Sequence, residues 1–290
     1  MMQWGLVVSA CLSSITAVRG LADGQGTMVQ FFGENFPVGA IFEWNMKMQF
    51  LSLLVMYSLN IIVAAWCPIP ILAYLLAAGY FIRIGFVLSF ALNAEKVALM
   101  GMSENGKLLK IICVIQAVLG AVIAGCTYLS SQDDSYIAYV AGISSAAADA
   151  EFGTYLYFVY VFGAIGILGR IPQIINVRTG MARFMAKGEG GLPTDKGKMT
   201  VLEFSFGFTA VNFLLTWSFV IFMMSYIPNV APVATFMTAI GVVFIAQMAR
   251  TLTEIADLGF ALPPMIFFVV LISTMFGASL LALLDYYFDD

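Results

Sequence analysis

The sequence predicts an all-α integral membrane protein with about eight transmembrane helices. Two observations carry this prediction. Of the 290 residues, 61% are hydrophobic and only 10% are charged, and the mean hydropathy is +0.95. A soluble domain of this length could not bury so much apolar surface. The apolar residues also form continuous runs, long enough to cross a bilayer as helices, and do not alternate as in a membrane β-barrel.

The first half of the chain contains four predicted spans. Residues 4–18 are apolar and predict a short first helix, although a signal peptide would look similar. A glycine-rich segment at 20–40 predicts a loop with weak structure. The next spans are predicted at 41–67 and 71–92, separated by a Pro-Ile-Pro break that no helix continues through, and the fourth lies at 108–129.

The second half predicts four further spans and one interfacial helix. The apolar piece at 136–148 is too short to cross about 30 Å of hydrocarbon at ~1.5 Å per residue, so we expect it at the membrane surface. The four predicted spans are 152–169, 199–227, 233–249 and 262–284.

The charges of the loops predict which side each loop faces. The loop at 170–199 contains six basic residues and only two acidic ones, Glu189 and Asp195. The positive-inside rule places this loop on the cytosolic side. Counting spans from there puts the acidic loop at 131–151 and the acidic C-terminal residues on the opposite side, and it places the lysine-containing loop at 93–110 on the basic side.

A shift of 160 positions aligns the first part of the chain with the second. Glu43 then meets Glu203, Ser58 meets Ser218 and Pro68 meets Pro228. This similarity predicts two parallel three-helix repeats. The predicted organisation is a first repeat at 1–92, a linker helix with the acidic loop at 93–151, a second repeat at 152–250 and an extra C-terminal helix at 251–290.

Residues 169–180 read GRIPQIINVRTG, a Pro-Gln pair near the end of a predicted span followed by a basic segment that ends in glycine. This pattern resembles the PQ-loop membrane proteins, and among them the mannose-P-dolichol utilisation defect proteins most. The resemblance covers about residues 152–250. It implies two three-helix units joined by a linker helix, and a hinge at Pro172 and Gln173. The residues themselves also allow Pro172 to end the helix and Gln173 to lie at headgroup level.

Few polar residues lie inside the predicted spans, and those normally face the interior of a helical bundle. They are candidates for a polar pathway or ligand contacts, or for hydrogen bonds between helices. Arg83 is the one basic residue deep in a span; it suits an anionic group such as a phosphate, a partner subunit, or a position from which it reaches the surface. The candidates are Asn60, Arg83, Gln116, Asn212 and Gln247.

The composition argues against catalysis and metal binding. The chain has no histidine, the commonest metal ligand and proton shuttle. Its four cysteines, Cys11, Cys67, Cys113 and Cys126, lie in apolar runs without metal-site spacing. We therefore predict no catalytic residue, no metal, no cofactor and no enzymatic activity. With a net charge of −4 we also expect no nucleic acid partner.

Two functions are consistent with the sequence. The resemblance implies a transporter-like protein of the endoplasmic reticulum that serves the use of lipid-linked sugars, with bound lipid possible. The alternative is an accessory scaffold subunit of a large photosystem or respiratory complex in a thylakoid or mitochondrial inner membrane. It is favoured by Leu12 and Ser13, which replace the Pro-Gln pair in the first repeat. Only that alternative would involve a pigment. In both, the bilayer is a partner.

Overall fold

A computed structural model describes residues 1–32, 39–102, 106–148, 154–182, 192–224 and 230–288. Within these ranges the chain forms α-helices and no β-strand. In chain order the helices are α1 (Met2–Ala22), α2 (Gly24–Phe32), α3 (Ala40–Trp66), α4 (Pro70–Ala91), α5 (Ala94–Leu99), α6 (Gly106–Ser130), α7 (Asp134–Ala148), α8 (Thr154–Ile175), α9 (Val177–Ala182), α10 (Lys196–Met224), α11 (Val230–Thr253), α12 (Ile255–Leu258) and α13 (Leu262–Phe288).

Seven of the described helices are long and apolar enough to cross a membrane, namely α1, α3, α4, α6, α10, α11 and α13. Helix α8 has 22 residues, of which Gly163–Ile175 form a shorter apolar stretch. The prediction of an all-α membrane protein is confirmed.

Three predicted boundaries differ from the structure. The segment predicted as a loop at 20–40 contains α2. This helix packs against α1 and α3, and its Met28 side chain is buried. The span predicted to end at 169 continues to Ile175, with Pro172 inside the helix. Proline has no amide hydrogen to donate, but its carbonyl oxygen still accepts a hydrogen bond. The Asn176 amide donates to the Pro172 carbonyl at 3.0 Å, and the helix therefore continues past Pro172. The predicted loop at 170–199 contains α9.

The long helices pack as two groups of four. In the first bundle α1 packs against α3 and α6, and α4 packs against α6. In the second bundle α8 packs against α10 and α13, and α11 packs against α13. The two bundles meet where α10 contacts α3 and α4. Because α3 and α10 are enclosed by the others, they are the most buried of the candidate spans, whereas α6 and α13 present apolar faces outward.

Hydrogen bonds tie the helices together at both ends of the molecule. At one end the Met2 amide donates to Ser130 Oγ at 2.9 Å, which fixes α1 beside the end of α6. At the other end Trp44 Nε1 donates to Thr251 Oγ1 at 2.8 Å, which joins the start of α3 to the end of α11. The second end carries the segment predicted to be cytosolic, and we call it the basic end.

Candidate functional site

Each bundle encloses a cavity in the half of the molecule nearer the basic end. The second-bundle cavity has a volume of ≈ 180 Å³ and lies among α3, α8, α10, α11 and α13. The first-bundle cavity has a volume of ≈ 160 Å³ and lies among α1, α3, α4, α6 and α10. Both volumes are comparable to an engineered apolar cavity of about 150 Å³ that takes a benzene molecule.

Most of the second-bundle cavity is lined by aromatic and methionine side chains. Phe213 on α10 and Phe244 on α11 form one wall, with ring centroids 5.3 Å apart. The indole of Trp217 packs against Gly166 of α8, where a methyl group on the glycine would come within 3.2 Å of the ring. Methionines adapt to varied apolar shapes, so Met237 and Met275 suit a lining for a flexible apolar chain.

The polar end of the second-bundle cavity is formed by Arg170 and Gln173 of α8. Arg170 Nη1 donates to Gln173 Oε1 at 2.7 Å. The guanidinium carbon also lies 5.2 Å from the ring centroids of both Phe213 and Phe268, within the range of a cation–π contact. Arg170 is one and a half turns from Ile175, the end of α8, so the cation lies near the depth of lipid headgroups.

Asn45 of α3 adds an unsatisfied amide to the same cavity. Its side chain is 2% exposed, and neither Oδ1 nor Nδ2 has a hydrogen-bond partner among the described residues. Thr209, which also lines the cavity, is different because its hydroxyl donates to the Ser205 carbonyl at 2.9 Å. A buried amide without partners costs free energy, about 1–3 kcal/mol, unless a ligand or water supplies the missing bonds.

The second-bundle cavity opens sideways between α8 and α13. Ile165 on α8 is 43% exposed and Phe267 on α13 is 58% exposed, and both border the cavity. A methyl group built on Gly169, which also borders it, would meet nothing within 4 Å. In a bilayer this side faces lipid, so an apolar chain can enter there.

A polar network occupies the first bundle. Asn60 Nδ2 donates to Tyr80 Oη at 3.1 Å, and Tyr80 Oη also shares a hydrogen bond with Ser13 Oγ at 3.4 Å. Gln116 Nε2 donates to Tyr57 Oη at 3.1 Å. The two tyrosine rings are stacked with centroids 6.1 Å apart. Two of the amides predicted from sequence, Asn60 and Gln116, therefore reach the same pair of tyrosines.

Arg83 lies over these two tyrosines. Its guanidinium carbon is 4.4 Å from the Tyr80 ring centroid and 5.0 Å from that of Tyr57. Arg83 is 1% exposed and lines the first-bundle cavity. It does not reach the surface from this position.

The other two predicted amides, Asn212 and Gln247, lie away from this network. Asn212 is fully buried where α3 meets α10, and its Nδ2 donates to Ser52 Oγ at 3.2 Å. A second bond crosses the same interface from Ser205 Oγ to Gln49 Oε1 at 2.8 Å. Gln247 is half-buried on α11 and lines neither cavity. The five predicted candidates thus separate into a first-bundle group of three and two residues elsewhere.

The Pro-Gln pair lies beside a close backbone contact. Pro172 is exposed, whereas Gln173 is 7% exposed. Gly180 of α9 packs so closely that an added methyl group would lie 3.0 Å from Gln173 Cα. The short helix α9 is also held from the other side, because Arg178 Nε donates to Glu203 Oε1 at 3.0 Å.

Sequence reasoning missed Asn45, Tyr57 and Tyr80. A signal for Asn45 was present, since Asn45, Gln49 and Ser52 recur at helical spacing on one face of α3. The tyrosines carry no such signal, because an aromatic residue in an apolar helix is usually packing.

No group of three or more His, Cys, Asp or Glu side chains able to hold a metal was found in the described part of the chain. Compared with models of protein families, with curated proteins and with solved structures, the chain has no significant match.

Proposed function

We propose that this membrane protein binds an amphiphile with an anionic head, a phosphate on a long apolar chain, in the second-bundle cavity. The observation that carries the proposal is Asn45, a buried amide that has no hydrogen-bond partner in the described part of the chain and lies in an apolar cavity that also contains Arg170. The resemblance of the Pro-Gln segment to proteins of lipid-linked sugar use suggests that the head carries a sugar. Transport of that lipid is the corresponding activity.

The chemistry of the polar end fits such a head. A guanidinium donates several N–H groups in a plane and binds phosphate oxygens in pairs. The Asn45 amide can donate to one oxygen and accept from a sugar hydroxyl. Gln173 holds the guanidinium in place through its own hydrogen bond. The head would then lie near the membrane surface on the basic end, and the chain would pass between α8 and α13 into the bilayer.

We further infer that the molecule is a duplication of a four-helix unit. The contacts of α1, α3, α4 and α6 within the first bundle recur for α8, α10, α11 and α13 in the second. In this arrangement α6 and α13 are equivalent, so the helices predicted as a linker and as an extra C-terminal helix become the fourth members of the two repeats. The two cavities then occupy corresponding places.

The proposal is tested by lipid binding to the purified full chain in nanodiscs. The probe is a polyisoprenyl phosphate, and its neutral alcohol is the comparison. Replacement of Arg170 by Gln should weaken phosphate binding about tenfold or more, because hydrogen bonds to charged groups are worth about 1.5–3 kcal/mol. Arg178→Gln is the matched control, since it removes a charge from the same end but from an exposed ion pair outside the cavity.

Asn45→Leu separates a binding role from a structural one. It removes an unsatisfied buried amide, so the unliganded protein should become more stable while the phosphate lipid binds more weakly. Equal binding by the wild type and both cavity variants would overturn the proposal. The scaffold alternative predicts instead a native particle far heavier than 31.5 kDa and lipid binding that is independent of Arg170.

A further inference from the structure

The first-bundle cavity holds a buried cation, Arg83, for which the described residues supply no acidic partner. Arg83 lies two turns before Ala91, the end of α4, which is about 12 Å along the helix axis. Its Nη1 and Nη2 atoms have no hydrogen-bond partner in the described residues. We propose that this cavity is a second binding site, which takes an oxyanion, a carboxylate or phosphate, carried on an apolar chain and held by Arg83.

The protein itself compensates only part of the Arg83 charge. Nε donates to the Gly79 carbonyl at 3.3 Å, and the two tyrosine rings lie beneath the guanidinium. Rings attract a cation but accept few of its N–H groups, so the two terminal nitrogens have no partner in the part of the chain that the structure describes. The cavity lining in the described chain includes no aspartate or glutamate. A charge at membrane depth that lacks a counter-ion marks a ligand or ion site.

The unpaired atoms have the geometry that an oxyanion requires. Nη1 and Nη2 form the terminal fork of a guanidinium, which can donate two parallel hydrogen bonds to the two oxygens of a carboxylate or phosphate. Tyr57 provides a further donor. Its Oη accepts from Gln116 Nε2, so the phenolic proton points elsewhere and can donate to the same anion.

The rest of the cavity suits an apolar chain. Its walls are formed by apolar side chains such as Phe50, Leu53 and Leu119. At its rim Leu12 on α1 is 53% exposed and Ile115 on α6 is 52% exposed. A volume of ≈ 160 Å³ holds an anionic head and a few methylene groups, and the remaining chain would leave between α1 and α6 into the bilayer.

This site is independent of the proposed function. It lies in the other bundle, and Arg83 shares no contact with Arg170 or Asn45 among those described. A result at one cavity therefore leaves the other open to its own test.

The test measures binding of three probes to the full chain in detergent by native mass spectrometry: palmitate, its neutral methyl ester and inorganic phosphate. Arg83→Gln should weaken palmitate binding about tenfold or more at one site and leave the ester unchanged. The palmitate affinity of Arg83→Lys should lie between those of the wild type and Arg83→Gln, because lysine keeps the charge and lacks the forked pair of donors. Arg19→Gln, an exposed arginine on α1, should match the wild type, and Arg170→Gln should leave this site intact.

Two outcomes support the oxyanion site and identify its source. Arg83-dependent binding of palmitate indicates a lipid anion, and Arg83-dependent binding of inorganic phosphate alone indicates a free anion. Binding of both probes within twofold of the wild type in Arg83→Gln would overturn the proposal. Thermal stability gives a separate readout, since loss of an unpaired buried charge should raise the melting temperature. A lower melting temperature with unchanged binding means that Arg83 only packs on the tyrosines, and also overturns the proposal.

A wild-type experiment avoids any dependence on variant folding. A palmitate that carries a photoreactive diazirine on its chain is bound to the unmodified protein and activated, and the labelled peptides are mapped. Label on α1 near Leu12 and on α6 near Ile115 is expected, and methyl palmitate in excess should not displace it. Absence of label from both helices contradicts the binding of a lipid anion in this cavity.

Discussion

Asn212 donates its side-chain amide to Ser52 Oγ at 3.2 Å, and these two residues are 160 positions apart. That separation is the shift that aligns the two halves of the sequence. In the duplication that we infer, the bond joins equivalent positions of α10 and α3 where the bundles meet. A contact between equivalent residues is expected near the axis that relates two repeats, which is why this interface is central to the duplication we infer.

The Asn212–Ser52 bond should contribute measurably to stability. We expect a double-mutant cycle of Asn212→Ala and Ser52→Ala to give a coupling of about 0.6 kcal/mol, the average for hydrogen bonds between membrane helices. Reversible unfolding in mixed micelles provides the measurement. Pairing Asn212→Ala with Ser58→Ala is the control, because the Ser58 hydroxyl donates to the Val55 carbonyl of its own helix, and that pair should be additive. A coupling energy of zero between Asn212 and Ser52 would contradict a stabilising hydrogen bond at this interface.

Gly180 should tolerate a side chain poorly, because one of the atoms that it would meet, Gln173 Cα, is backbone. In Gly180→Ala the new methyl group lies 3.0 Å from Gln173 Cα, so the contact between α9 and the Pro-Gln pair must widen by a few tenths of an ångström. We expect a loss of about 1–3 kcal/mol, typical of overpacking. Gly125→Ala in α6, where a methyl group meets nothing within 4 Å, should be neutral or stabilising. Equal effects of the two variants on the unfolding midpoint would contradict the close contact.

The variant Pro172→Ala tests the hinge that the resemblance implies. Pro172→Ala restores an amide donor within α8 and should make this helix straighter and more stable. If the proline is a hinge for ligand exchange, the phosphate lipid should dissociate more slowly from the variant while its head contacts are preserved. Dissociation rates from nanodiscs measure this. An unchanged rate would leave Pro172 as a local irregularity of the helix without a role in exchange.

Tyr136 should tether α7 to the rest of the protein in its neutral form. Its hydroxyl donates to the Pro68 carbonyl and lies 3.2 Å from Met2 Sδ. Burial raises the pKa of Tyr136 to about 12, with a smaller contribution from neighbouring tyrosines. A raised pKa means that folding favours the protonated form, so the tether is fully present below about pH 10 and is lost as the pH approaches 12.

Two measurements check the Tyr136 tether. Tyr136→Phe should lower stability by about 1 kcal/mol, the usual net value of a hydrogen bond, and its effect should disappear at pH 12. Absorbance titration of phenolate should show one group fewer titrating near pH 12 in the variant. Tyr139→Phe, in the same helix and 53% exposed, is the matched control with little expected effect. Titration of Tyr136 at pH 10 would contradict its burial.

The all-helical membrane fold and the approximate positions of its long helices could be predicted from sequence, because length and apolar composition determine them locally. The course of α8 past Pro172 could not, since a proline in sequence marks either a helix end or an internal irregularity. Arg83 was identifiable as a deep cation. Its placement over Tyr57 and Tyr80 depends on how α3 and α4 pack, and helix packing is not encoded in the pattern of a single span.

The roles of the buried amides could not be predicted from the sequence either. Asn212 and Asn45 both look like polar residues in apolar helices. The Asn212 Nδ2 atom donates to another helix, whereas the Asn45 side chain has no hydrogen-bond partner among the described residues. Only tertiary structure separates an amide that donates to another helix from one that faces a cavity.

Tryptophan fluorescence can report the binding of an anionic amphiphile in the second-bundle cavity. Trp4 and Trp66 are exposed and are replaced by Phe, leaving Trp44 and Trp217, which line the cavity. Titration with a phosphate lipid whose chain carries bromine should quench the remaining fluorescence saturably. Arg170→Gln should require about tenfold more lipid, while Arg178→Gln should not. Quenching that is weak, non-saturable or equal in both arginine variants would contradict binding in this cavity.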